Sequence, residues 1–242
     1  MLKTRILGSL AGGALRACDS SAVVKRPWKQ GPRIAEDDRH VADEVRAFLA
    51  DFGIPTFMAH DDLEVSDQWQ DVILDRISAA DIFIAILSAA YLASPYCLQE
   101  SGIAVFRKAA NTIIPLSIDD TISPGFLRPI QSRRVEPGSI NPAILFAGIV
   151  RYDSTFAIDV MINRLGGANT FAQAEKAFAL LQPHLTLATQ QQIMDILGVA
   201  AANSQVRYAW GIKPTLSDLL ADYGDLISEQ ERGLIVAALG GD

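Results

Sequence analysis

Apolar residues recur along the chain with two different periods, and the change between them divides it. From residue 37 onward Val41, Val45, Phe48 and Leu49 share one face at helical spacing, with Asp37 or Asp38 placed to cap the start. Gly53 follows as a helix stop, and 54–58 reads as a short strand. Ser66 is placed to cap a second helix, which presents Trp69, Val72, Ile73, Ile77 and Ala80. The run from Ile82 to Leu87 is unbroken and apolar, the pattern of a strand covered on both faces in a parallel sheet. Ser94-Pro95 joins a capping hydroxyl to a proline at the first helical position, and predicts a helix over 96–110. A further buried strand covers 112–118, where Pro115 fits only if no neighbour requires its missing N–H. A short strand near 133–136 ends at Pro137-Gly138. Helices alternating with buried strands predict an α/β fold, a flavodoxin-like, doubly wound parallel sheet.

Beyond Gly138 the strand signal disappears. Apolar residues keep helical spacing near 141–165, 171–182, 186–201, 203–210, 214–222 and 228–239, without a repeat of fixed period. The chain therefore divides into an atypical N-terminal segment 1–35, an α/β domain 36–138 and an all-helical C-terminal region 139–242.

Composition narrows the function. Half of the 242 residues are hydrophobic and the net charge is −7, which argues against nucleic acid or an anionic membrane as the partner. Cys18 and Cys97 are too few for a disulfide framework, and His40, His60 and His184 show no metal-ligand spacing, so no metal site is expected. Met1 to Ala17 loosely imitates an export leader, but its apolar run is short and interrupted by Gly8, Gly12 and Gly13. The expected compartment is cytoplasmic.

Three features stand in register over roughly a hundred residues. Gly53-Ile54-Pro55-Thr56-Phe57 resembles the "G-I-x-x-F" second strand of TIR (Toll/interleukin-1 receptor) domains. Asp61-Asp62-Leu63-Glu64 followed by Trp69 is similar to their acidic loop and the aromatic residue that opens the next helix. Ile82 to Ser88, then Tyr91, Ser94, Tyr96-Cys97 and Glu100, resembles their third strand and the motif S-x-W-C-x-x-E, with Tyr96 in place of tryptophan. The match is closest to bacterial TIR proteins of the NAD-cleaving type linked to phage defence.

That resemblance implies a catalytic role for Glu100, with Ser94 and Tyr96 lining the substrate site and Phe57 either facing nicotinamide or packed in the core. Loss of nicotinamide from NAD builds oxocarbenium charge on the ribose, which a carboxylate beside the ring stabilises. Nicotinamide leaves neutral, so no strong general acid is required, and NAD is a substrate with no separate cofactor implied. Cys97 has no histidine near it in the motif and reads as a buried small residue rather than a nucleophile. His60 with Asp61 and Asp62 reads as a solvated loop, and Trp69 as a core anchor.

The implied function is an NAD nucleosidase or ADP-ribosyl cyclase in bacterial defence signalling, working as an oligomer through TIR–TIR self-association. The alternatives are a non-catalytic adaptor that acts by TIR–TIR assembly, and another nucleoside-handling enzyme on the same kind of sheet. The resemblance stops abruptly upstream of residue 36. Pro27, Gly31 and Pro32 occupy the place of the family's interior first strand, and Val23-Val24 is a short apolar pair. The first strand is thus expected to be atypical or missing: residues 1–35 come from a shifted frame or misassigned start, which is the preferred reading, or the N-terminus diverges and fills the slot in another way, or the domain is degenerate and inactive.

Overall fold

The computed structural model describes residues 22–25, 34–58, 69–107 and 112–240. Five parallel strands form one sheet in the order β2-β1-β3-β4-β5. They are β1 (Ala22–Lys25), β2 (Thr56–Phe57), β3 (Ile82–Leu87), β4 (Thr112–Ser117) and β5 (Arg133–Arg134). The order 2-1-3-4-5 is that of the flavodoxin-type sheet.

The expectation of a missing first strand is corrected here. Ala22–Lys25 lies in the interior of the sheet, with Ala22 paired to Thr56 on one side and to Ile82 on the other. The strand ends at Lys25, before Pro27, and residues 26–33 lie outside the described residues. Four residues suffice because the ladder is made by backbone, and β2 beside it has only two residues.

Helix α1 (Ile34–Asp51) follows, then α2 (Trp69–Ala79), α3 (Ala89–Ala93) and α4 (Pro95–Phe106). Helix α1 starts at Ile34, so Asp38 lies inside the helix rather than capping it. Helix α4 is described to Phe106, short of the expected end, with Arg107 as its C-cap and the Arg107 guanidinium turned toward α2. It donates to the carbonyls of Ile77, at 2.6 Å, and Ala80 at the end of α2. The Ser66 cap and the 59–68 loop fall outside the described residues, as does the side chain of Trp69.

Strand β3 is buried along its whole length and feeds both faces. Ile82, Ile84 and Ile86 point into a core shared with α1, whereas Phe83, Ala85 and Leu87 point into a second core with Ile73 and Ile77 of α2 and Cys97 and Ala104 of α4. Pro115 is accommodated by the hydrogen-bond parity of β4. The amides of Thr112 and Ile118 bond to Asp81 and Leu87, so even positions face β3 and odd ones face β5. Strand β5 pairs only with Leu116 and Ser117, so the missing N–H of Pro115 points where no ladder exists.

The C-terminal region is helical throughout, with α5 (Pro142–Tyr152), α6 (Ser154–Gly166), α7 (Phe171–Leu181), α8 (Gln190–Ala202), α9 (Ser204–Arg207), α10 (Lys213–Tyr223) and α11 (Glu229–Leu239). The single helix expected near 141–165 is two helices. Asp153 breaks it: its backbone is extended and its carboxylate caps α6 by accepting from the Phe156 amide at 2.9 Å. Thr189–Gln192 and Ser228–Glu231 make capping boxes that begin α8 and α11.

These helices share the α1-side core rather than forming one of their own. Phe52 of α1 meets Phe146 of α5 at 5.7 Å, and Phe146 meets His184 edge-on at 5.3 Å. Arg164 bonds Asp51 at 2.6 Å and lies over the Phe52 ring. Gly148 gives the closest approach, since a Cβ there would sit 2.1 Å from Ile114 Cδ1. Gly148→Val should therefore lower stability by about 2 kcal/mol through overpacking, read from denaturant unfolding.

Glu44 ties α1 to the start of the helical region, accepting from the amides of Gly138 and Ile140 and from His40. Burial opposes its ionisation, but the two amide bonds and His40 outweigh burial and hold the carboxyl below its ordinary value of 4.5. A carboxyl lowered on folding stabilises the fold above its unfolded value and loses that contribution as pH falls through its folded one. Burial likewise lowers His184, which costs stability as pH drops below 6.5. Melting followed from about pH 7 to about pH 3 should fall for the wild type. Glu44→Gln should melt lower at neutral pH and show a shallower loss at the acid end.

Candidate functional site

In an open parallel sheet the ligand crevice lies outside the carboxyl ends of the strands, where the strand order reverses. Here that point is between β1 and β3, whose neighbours lead to opposite edges. The loop leaving β3 carries Ser88, α3, Ser94 and the first turns of α4.

Ser88 is fully buried at the end of β3 and serves two partners. Its hydroxyl accepts from the Tyr91 amide at 3.1 Å, capping α3, and donates to Asp38 Oδ2 at 3.2 Å. Asp38 is itself completely buried on α1, so a carboxylate inside the first helix is fastened to the end of the central strand. On the other side of β3, Asp119 accepts from the Ala89 amide at 2.8 Å and from Thr121. The carboxyl-edge loops are thus joined laterally by side chains.

Ser94 caps α4 by accepting from the Cys97 amide at 3.3 Å, and Pro95 occupies the first turn. The inner face of α4 is Cys97, Ser101 and Ala104, at helical spacing. Tyr91 Oη and Ser101 Oγ are 2.6 Å apart, and Ser101 donates to the Cys97 carbonyl at 2.6 Å. Burial drives the Tyr91 pKa far upward, with further pushes from Cys97 and Glu100, so this phenol stays neutral and structural.

Glu100 flanks that inner face and is only 8 % exposed. Helical side chains lean toward the amino end, so its carboxylate lies over the turn that Ser94 opens. Tyr96 stands four residues earlier on the same side of the helix and is half exposed. Ser94, Tyr96 and Glu100 are therefore gathered on one helix start. Phe57 lies elsewhere, in edge strand β2, partly buried in the second core beneath Arg76 at 5.4 Å. Cys97 is buried in that same core as a free thiol.

The residues that sequence reasoning passed over are Asp38 as a partner of Ser88, Ser101, and Asp119. Ser88 and Tyr91 lay inside the quoted motif, but only pairing across fifty residues reveals what Ser88 holds. Among the described residues no group of three or more His, Cys, Asp or Glu could hold a metal ion, and no helix is long and apolar enough to cross a membrane.

Residues 34–141 match the TIR domain family. A TIR domain accordingly covers α1 to the first residues of the helical region. No curated protein matches the chain.

Ser88→Ala removes both the α3 cap and the donor to a buried carboxylate. It should cost about 2 kcal/mol in denaturant unfolding, more than an exposed cap alone.

Proposed function

We propose that this chain cleaves NAD at the nicotinamide–ribose bond, with Glu100 as the catalytic carboxylate. The observation that carries this reading is Glu100 itself. It is a largely buried acid on a helix opened by Ser94-Pro95, and that helix follows β3, one of the two strands between which the strand order reverses. The TIR match supports it, because TIR domains include NAD-cleaving members as well as scaffolds. The presence of β1 also supports it, since a strand fills the interior position flanking the crevice.

In this mechanism the ribose sits against the first turn of α4. As the C1′–N bond breaks, its electron pair leaves with nicotinamide, which becomes neutral. Positive charge grows on the ribose ring, and the Glu100 carboxylate stabilises it from a site largely removed from water. Water, or a nucleophile within the same molecule, then attacks C1′ to give ADP-ribose or its cyclic form. Ser94 keeps the helix start in place, and Tyr96 stacks on a planar ring of the ligand. The active species is an oligomer formed by self-association, acting in defence signalling.

Nicotinamide release from NAD by the purified, concentrated full chain tests the assignment. Glu100→Ala and Glu100→Gln should each lower turnover by at least about a hundredfold, a loss typical of removing one transition-state electrostatic contact. Their melting temperatures should stay near that of the wild type. Equal turnover in wild type and Glu100→Ala would sink the proposal, and absence of turnover in every oligomeric state would favour an assembly adaptor.

A further inference from the structure

A second concave site lies at the other end of the carboxyl edge. The loop leaving β4, the segment 128–132 and β5 enclose an open cleft of about 390 Å³, within the range that holds small metabolites. Its walls include Arg128, Arg134, Thr121, Ser123 and Ser132, and Asp120 is the only acid among its lining residues.

Two observations point to an anion. The first is charge. Arg134 is paired with Asp120, whereas the exposed side chain of Arg128 makes no ion pair or hydrogen bond among the described residues. Among those residues its guanidinium is uncompensated at the cleft, in a chain whose net charge is −7. The second is an orphan group. Ser123 is 6 % exposed, and its hydroxyl meets no hydrogen-bond partner, an arrangement rare in native interiors. The loop beside them is held in place by Asp119, whose carboxylate takes the amides of Ala89 and Thr121.

We infer that this cleft binds the phosphate group of a small phosphomonoester, with Arg128 supplying the charged contact and Ser123 the buried hydroxyl. Guanidinium matches phosphate oxygens in pairs, and a hydroxyl donates to a third. Ser132, also in the lining, is placed to bond a hydroxyl of the esterified group. The site does not depend on the NAD reading, because none of its residues belongs to the Glu100 helix.

Isothermal titration calorimetry on the full chain tests this with inorganic phosphate, ribose 5-phosphate and acetate. Phosphate should bind in a saturable manner that weakens with added salt, ribose 5-phosphate more tightly, and acetate least. Arg128→Ala should weaken phosphate by at least about tenfold, the loss expected for one charge-assisted contact. Ser123→Ala should weaken it by about threefold or more while the ligand-free protein melts no lower, since an orphan hydroxyl is removed. Glu100→Gln should bind phosphate as the wild type does, so failure here and failure of NAD cleavage are distinguishable. The inference is overturned by absence of saturable phosphate binding, by acetate binding more tightly than phosphate, or by wild-type affinity in both Arg128→Ala and Ser123→Ala.

Discussion

Strand β3 is the element on which the rest of this molecule depends. All six of its residues are buried, and they alternate between two separate cores. Its backbone is bonded on both edges, to β1 and to β4, which leaves it no solvent face and no free ladder. An element so enclosed dictates where its carboxyl end emerges, and Ser88, α3 and α4 inherit that position. The placement of Glu100 is therefore set by burial several residues upstream rather than by anything local to the glutamate.

The carboxyl edge adds a second layer of order through polar side chains. Ser88 reaches Asp38 of the first helix, and Asp119 reaches the amide that opens α3. Each contact joins two elements through a side chain rather than through the backbone ladder. Such bonds contribute modestly when made and cost more when one partner is lost, since a buried carboxylate or hydroxyl is then left without its mate. The edge is consequently stiff where chemistry is proposed.

Much of this was legible in the sequence because local signals and global burial agree. The apolar run at β3 and the Ser94-Pro95 start of α4 lie where the sequence put them, the latter to within one residue. Capping residues explain what was misread. Asp153 carries no hydrophobic signal that distinguishes a break from a continuous helix, so one helix was expected where two exist. Strand β1 was missed for a different reason: four residues followed by two prolines look too poor for an interior strand until the partners on both sides are known. The Glu100 helix was readable because its motif is contiguous. The Asp38–Ser88 bond and the cleft at Arg128 were not, since both depend on residues brought together by the fold.

Gly148 has a consequence beyond packing. Helix α5 approaches β4 so closely that the absence of a side chain at one position meets the presence of Ile114 at another. The TIR domain and the helical region are thereby keyed to each other like a lock with one tooth. A recombination event that joined this sheet to a different helical partner would succeed only if the newcomer also brought a gap opposite Ile114. The two regions are thus constrained to change together, as one heritable unit.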